Sequence, residues 1–324
     1  MFNKVNTKQL SAVFLVLLAA VLITAVGGNS KKTRSFLSEL TEIDTSVVTA
    51  LTIYPAGGAD PVDLEKQDKN WVVADGESIH NADNGQAEEM LNTLAELTST
   101  RLAAKDRDRW ESYEVTDSLG TRVVVMAGKK VTADLYIGRF SYSQPPQQAM
   151  SPYGGRPQGT MTSYVRLAGE KEVYAVEGFL QMMFNRGAGE FRDRKVLQVS
   201  RNDIARIAMQ LPGEQFSLSK SENNWMVEGL MADSAAMAGY LSGITRLTSS
   251  AFMENEALAS GTPTHTVLLE DANGARLAQV NAWFRDSSSI ALTSSVNPGT
   301  IFDGTQNGLY DKVIQPKAAF LKGE

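Results

Sequence analysis

The chain has 324 residues, of which 43% are hydrophobic and 21% are charged, and these values are typical of folded globular protein rather than of disorder. Its formal net charge of −6 argues against a nucleic-acid partner, because binding to phosphates requires clustered lysine and arginine. Cysteine is absent, which excludes disulfides, thiolate nucleophiles, cysteine-bound zinc and a lipid-modified cysteine.

The N-terminal region carries the strongest local pattern. No charged residue occurs between Lys8 and Lys31, and residues 10–26 are almost wholly apolar. A helix over residues 10–28 would be about 28 Å long, close to the hydrocarbon thickness of a bilayer. The sequence therefore predicts a transmembrane helix or signal anchor at 10–28, preceded by a cytoplasmic tail at residues 1–9.

A cleaved signal peptide is the alternative for this segment, since Lys4 and Lys8 form a basic start and residues 25–27 are small. The apolar run is longer than that of a usual signal peptide, which favours an uncleaved anchor. Basic residues flank the run on both sides, so their distribution does not fix the orientation. Either interpretation places the C-terminal bulk across the membrane. We expect a single-pass protein of the inner (cytoplasmic) membrane, with this bulk in the periplasm or outside the cell and a linker at 29–45.

An internal repeat organises the rest of the chain. Residues 51–71 align without a gap with residues 205–225, and the alternation of apolar side chains in both predicts three short strands. The alignment pairs Ile53 with Ile207, Leu64 with Leu218, and Trp71 with Trp225.

One main helix follows the three strands in each copy. Leu91, Leu94 and Leu97 recur at helical spacing, and Asp83 with Gln86 indicates an N-terminal cap. Four further strands and a short apolar helix complete each copy, and the strands are predicted at 122–126, 132–137, 164–167 and 173–176, then at 265–269, 276–282, 289–292 and 300–302. The prediction is an α+β fold: an N-terminal transmembrane helix, then two tandem, mainly antiparallel sheet modules, at 46–199 and 200–324, each with one main packed helix.

The chain resembles the DUF4340 domain family of bacterial membrane-anchored proteins. The resemblance rests on the N-terminal apolar span and on short motifs, which are Leu51-Thr52-Ile53, Trp71-Val72-Val73, Leu135-Tyr136-Ile137-Gly138, Tyr164-Val165-Arg166-Leu167 and Phe191-Arg192-Asp193-Arg194-Lys195. It implies an accessory role beside ABC-type export systems that carry a gliding-type auxiliary component. The chain departs from the family in residues 115–119 and in a long insertion at 143–160.

No motif for catalysis appears in the sequence. The two histidines, His80 and His265, have no partner at metal-binding spacing, and no nucleophile elbow, phosphate-binding loop or dinucleotide fingerprint follows a strand. Asp106 lies between Lys105 and Arg107, and Asp108 and Asp193 each lie between arginines, which favours the ionised carboxylate. We therefore predict no enzyme activity and no catalytic, cofactor-binding or metal residues.

Residues 143–160 form the one segment with functional character. It is rich in proline, glycine and glutamine, and no acidic residue occurs between Leu135 and Gly169. Such a segment is usually the tip of a hairpin. As a hypothesis, it docks a protein partner or anionic headgroups, with candidate contacts at Tyr142, Tyr153, Arg156 and Tyr164.

Three functions follow, in decreasing order of support. The first is a non-enzymatic, membrane-anchored extracytoplasmic accessory or scaffold protein, expected to serve an ABC-type export system and to contact its transporter subunits. The second is a periplasmic module that binds a peptide or glycan in the cleft between the two repeats. The third, a hydrolase with an unrecognised site, has the least support.

Overall fold

The computed structural model describes residues 39–76, 78–144, 159–222, 224–286 and 289–322. The predicted cytoplasmic tail at 1–9 and the predicted span at 10–28 lie outside these residues. None of the helices within the described ranges has both the length and the apolar character needed to cross a membrane.

The first module forms one antiparallel sheet, which has nine strands within the described residues. From one edge to the other, these are β4 (Ser78–Asn81), β3 (Asn70–Asp75), β2 (Val62–Gln67), β1 (Ala50–Tyr54), β6 (Thr121–Ala127), β7 (Lys130–Ser143), β8 (Thr160–Leu167), β9 (Val173–Glu177) and β5 (Ser99–Ala104).

The second module repeats this order in an antiparallel sheet of eight strands, counted over the described part of the chain. They are β14 (Leu230–Met231), β13 (Asn224–Val227), β12 (Glu214–Ser221), β11 (Arg206–Leu211), β16 (His265–Glu270), β17 (Arg276–Asp286), β18 (Ser289–Ser294) and β19 (Asn297–Asp303). The strands β10 (Lys195–Gln198) and β15 (Arg246–Thr248) pair separately.

Five α-helices accompany the sheets in the described ranges. They are α1 (Asn84–Ala95), α2 (Trp110–Tyr113), α3 (Leu180–Phe184), α4 (Ser234–Ile244) and α5 (Leu309–Val313). Short 3-10 turns lie at Thr45–Val47, Arg107–Arg109, Ala188–Glu190, Glu256–Ala259, Gln306–Gly308 and Lys317–Phe320.

The main helix of each copy begins at an equivalent aspartate. The Asp83 carboxylate accepts hydrogen bonds from the backbone N–H groups of Gly85 and Gln86, as the sequence predicted. Asp233 caps α4 through the N–H of Ala236. These caps satisfy donors that the first helical turn leaves free, so each helix starts where its apolar face can cover one face of its sheet.

Each module has its own main core. Every second residue of the central strands points inward, as Val123 and Val125 do in β6, and these side chains pack against α1. The second core is equivalent, with Val267 and Leu269 in β16 packed with the residues of α4. The predicted mostly antiparallel α+β architecture with two sheet modules is thus confirmed.

The hydrogen bonds that close the modules also repeat. The N–H of Ala82 donates to the carbonyl of Trp71, as that of Ala232 does to Trp225. The N–H of Asp83 and that of Asp233 donate to the carbonyls of Phe191 and Phe320, which are both fully buried at the ends of their copies.

The gapless alignment of the two copies is wrong in its first strand. Leu64 lies opposite Leu51, whereas its equivalent Leu218 lies opposite Ile207. The structural equivalent of Ile207 is therefore Leu51, two residues before Ile53. The shift keeps the inward face unchanged, because side chains alternate with a period of two. The extra residues lie in the connection at 55–61, which is longer than that at 212–213.

The predicted linker at 29–45 ends earlier than expected. Glu39 pairs with Thr98, and Leu40 is buried in the first core. The predicted boundary between residues 199 and 200 stays a prediction, although Val196 and Leu197 of β10 pack in the second core and favour an earlier one.

Candidate partner-docking surface

The face of the first sheet that lies opposite α1 carries a second layer of aromatic and arginine side chains. Residues 103–120 cross this face and form a small core with Tyr136 and Tyr164. A Cβ atom at Gly138 would lie 2.1 Å from the carbonyl oxygen of Tyr113. The crossing segment therefore lies directly on the backbone of β7, and only glycine permits that contact.

Arg166 fixes this crossing segment to the sheet. Its side chain is almost fully buried, and its Nε donates to the carbonyl oxygen of Val115 at 2.9 Å. The guanidinium carbon lies 3.8 Å from the ring centroid of Trp110 and 4.0 Å from that of Tyr136. Stacking between two rings stabilises the guanidinium away from water. Arg166 is thus a packing residue.

Arg122 extends the same layer towards the centre of the sheet. It forms a two-pronged ion pair with Asp134, with N–O distances of 2.9 and 2.7 Å. The hydrogen bonds to Asp134 raise the pKa of Arg122, and burial raises that of Tyr136. Arg122 lies between the rings of Tyr54 and Tyr136. In this half of the layer, the charge of Arg122 is therefore paired with that of Asp134.

The other half of the layer lies near the end of β7 and carries cations without carboxylates. The Arg139 guanidinium carbon lies 5.5 and 5.7 Å from the ring centroids of Tyr113 and Tyr164. Arg101 donates to the Tyr164 hydroxyl at 3.3 Å. Within the described residues, neither arginine has an ion pair with a carboxylate. Arg139 is exposed, so its charge is presented to solvent.

The ends of β7 and β8 form a ribbon that extends past β6, while β9 pairs with β8 as far as Thr162. The last residue of β7 that pairs with β6 is Ile137, whereas its pairing with β8 continues to Ser143. Tyr142 near the end of the ribbon is 52% exposed. Residues 144–159 connect the two strands, whereas residues 287 and 288 alone connect the equivalent strands β17 and β18. Strand β17 likewise extends past β16, from Ala282 to Asp286, so the longer connection and the longer strand ends distinguish the first copy.

Apolar side chains are exposed on the other face of the ribbon, because Phe140 lies opposite Ser163, whose Oγ accepts a hydrogen bond from the N–H of Leu180 in α3. Phe140 is 41% exposed, and its ring centroid lies 4.1 Å from that of Phe179. Met182 in α3 is 60% exposed. We call Arg101 and Arg139 on one face and Phe140, Tyr142 and Met182 on the other the ribbon surface. Exposed aromatic and arginine side chains together are typical of sites where proteins bind one another.

The candidate residues from the sequence have different positions. Tyr142 lies on the ribbon surface, and Tyr153 and Arg156 lie outside the described residues. Tyr164 is 6% exposed, with its ring centroid 4.6 Å from that of Tyr113, and a partner contact through it stays a prediction. The ring of Tyr164 packs against the guanidinium of Arg139. The sequence interpretation missed Arg101 and Tyr113, because they are distant in the chain and carry no local signal.

The two modules meet through polar side chains. The Asn81 amide donates to the side-chain oxygen of Asn297 at 2.9 Å, and Arg192 pairs with Glu254 at 2.6 Å. His80 lies 3.7 Å from the same glutamate. These groups bond directly across the predicted cleft. A peptide or glycan site in that cleft stays a prediction.

The fold and this surface define a class of protein: two tandem antiparallel modules of one design, of which the first carries an additional arginine- and tyrosine-rich ribbon. The model of the family described as "Domain of unknown function (DUF4340)" matches residues 71–263. The chain belongs to this family, which confirms the resemblance seen in the sequence. The match begins in β3 and ends before β16, so it includes parts of both copies. No curated protein and no solved structure matches the chain.

Proposed function

We propose that the protein is a non-enzymatic accessory or scaffold protein, anchored in the inner membrane by residues 10–28, with both modules on the extracytoplasmic side. The ribbon surface binds a membrane protein complex. The family resemblance suggests the subunits of an ABC-type exporter as that complex.

The ribbon is the observation that carries this proposal. The two copies share strand order, helix caps, closing hydrogen bonds and a hairpin that extends past the sheet, so the longer strand ends and the connection at 144–159 in the first copy serve something other than the common fold. Both hairpins carry an exposed phenylalanine, Phe140 in the first copy and Phe284 in the second, and the ribbon adds an exposed tyrosine and cations without carboxylate partners in the described ranges. These groups provide apolar contact area and charge for a partner.

The length of the connection supports a partner close to the membrane. The described fold starts at Glu39, which pairs with Thr98, so residues 29–38 separate it from the proposed span. A connection of that length reaches at most about 35 Å. The first module therefore stays within reach of other proteins in the same membrane.

Purification of the full chain in a mild detergent tests the proposal. One variant replaces residues 144–159 with an Asn-Gly turn, which closes a hairpin of two strands. A second carries Arg139→Glu and Tyr142→Ser. We expect the native chain to retain membrane subunits, identified by mass spectrometry, and both variants to lose most of them while still fractionating with the membrane.

Phe284→Ser provides the matched control, because Phe284 is 42% exposed on the corresponding hairpin of the second copy. It should retain the subunits. Recovery of the native chain alone, or equal recovery of subunits with the ribbon variants, would contradict the proposal. Release of the native chain from membranes by high salt would contradict the anchor.

A further inference from the structure

A groove lies in the second module between β13 and the N-terminal half of α4. Its volume is about 430 Å³, within the range usual for small-molecule sites. Trp225, Met237 and Leu241 line it on the apolar side. Trp225 is only partly buried, so an aromatic surface is available inside the groove.

The polar side of the groove is cationic. Arg201, Lys220 and Lys322 line it, and no aspartate or glutamate does so among the described residues. None of the three has a carboxylate at ion-pair distance within those ranges. On a chain whose formal net charge is −6, a concave site with three cations concentrates positive potential and favours an anionic occupant.

The first copy shows what closes the same place. Asn84, the first residue of α1, accepts a hydrogen bond from the N–H of Trp71 at 2.7 Å and donates to Asn70 at 3.0 Å. Ser234 occupies the equivalent position in α4, directly after the capping Asp233. The serine side chain is too short for both bonds, and the described hydrogen bonds include none between Ser234 and β13.

The equivalent tryptophans of the two copies also differ in burial. Trp71 is 1% exposed, and the Lys66 ammonium lies 5.9 Å from the centroid of its ring. Trp225 and Lys220 are cross-strand partners like Trp71 and Lys66, yet the described contacts include none between the Lys220 ammonium and the Trp225 ring. The second copy thus leaves both a lysine and a tryptophan available to a ligand.

We propose that this groove binds a small acidic sugar, a ring of hydroxyl groups that bears a carboxylate. The Trp225 ring would pack against the apolar face of the sugar, as amphipathic aromatic side chains do. Asn202, Asn224 and Ser234 line the same groove and supply amide and hydroxyl groups for the sugar hydroxyls. Arg201 and Lys220 pair with the carboxylate.

A site for inorganic anions alone would not need the apolar wall. A site for neutral sugars would not need three cations that lack carboxylate partners in the described part of the chain. The combination of both walls is the observation that selects the ligand class. The inference is independent of the ribbon, which lies in the other module.

Isothermal titration of the full chain in detergent tests this site with glucuronate, glucose and inorganic phosphate as probes. We expect glucuronate to bind with a Kd below about 1 mM, and glucose and phosphate at least tenfold more weakly. Lys220→Gln should weaken glucuronate binding at least fivefold, and the matched Lys66→Gln in the first copy should leave it unchanged.

Ser234→Asn provides a second variant, because it introduces the side chain that closes the first copy. It should abolish glucuronate binding while the thermal midpoint of the free protein stays the same or rises. Absence of glucuronate binding at about 10 mM would overturn the inference. So would equal affinity for phosphate or glucose, or an equal loss of binding in Lys66→Gln.

Discussion

The side-chain amide of Asn81, at the edge of the first sheet, donates to the side-chain oxygen of Asn297 in the second sheet across 2.9 Å. Asn297 is 1% exposed, donates to the carbonyl oxygen of Asp193 at 2.7 Å and accepts from Thr300. One buried side chain thus connects β4, β19 and the segment between the modules. This arrangement holds the modules in a defined orientation.

Asn297→Ala should destabilise this junction. It leaves the Asn81 amide, the Asp193 carbonyl and the Thr300 hydroxyl without their common partner, and unmade buried hydrogen bonds cost about 1–3 kcal/mol each. We expect the free energy of unfolding in urea to fall by roughly 2–4 kcal/mol. Asn273→Ala in an exposed turn is the control and should change it by less than about 0.5 kcal/mol. A loss below that limit in Asn297→Ala would contradict the assigned role.

Acidification should destabilise the fold through both histidines. Burial, with the nearby Arg192 charge, lowers the pKa of His80 below its ordinary 6.5, and burial lowers that of His265. Each therefore binds its proton more weakly in the folded chain than in the unfolded chain. The contribution of the two neutral histidines to the free energy of unfolding is therefore fully present above about pH 6.5. It is lost as the pH falls through their lowered pKa values in the folded chain.

The measurement is the free energy of unfolding in urea between about pH 7.5 and 5. The variant with His80→Gln and His265→Gln should show a flatter dependence on pH in this window, whatever its absolute stability. The native chain and the variant would have equal slopes if other groups were responsible.

Gly138→Ala should displace the segment that crosses the outer face of the first sheet. The added methyl group would overlap the Tyr113 carbonyl and the Val115 side chain, and overpacking of this kind costs about 1–3 kcal/mol. Hydrogen exchange should become faster at residues 103–120. Gly239→Ala, where nothing lies within 4 Å, is the control and should stabilise α4 by about 0.5–1 kcal/mol. Unchanged exchange in Gly138→Ala would contradict the packing described above.

The equivalent tryptophans should differ in their contribution to stability. Trp71→Ala removes a fully buried ring and should cost about 3–5 kcal/mol. Trp225→Ala removes a partly exposed ring and should cost less than about 2 kcal/mol. Urea denaturation of the two variants measures the difference. Equal losses would show that the two rings are packed alike.

Most of the fold could be predicted from the sequence, because its signals are local. The alternation in β6 and β16, the spacing of Leu91 and Leu94, and the cap at Asp83 each operate within a few residues. The equivalence of the copies also followed from local similarity. It failed by two residues at β1, because a shift of two preserves the inward face and leaves no trace in an apolar pattern.

The ribbon surface could be predicted only in part. The absence of acidic residues near Arg139 and Tyr142 was visible in the sequence, but Arg101 and Tyr113 join them from distant segments. The burial of Tyr164 was hidden for the same reason. A tyrosine in a strand carries no sign of which face a crossing segment will cover.

What the sequence by itself determined is the repeated unit, since strand alternation, helix periodicity and helix caps depend on neighbours in the chain. What only the tertiary structure decided is the difference between the copies: the buried Trp71 against the accessible Trp225, the extended ribbon surface, and the bonded junction at Asn81 and Asn297. The physical reason is that burial and hydrogen-bond partners depend on segments far apart in the chain, whose approach no local pattern encodes.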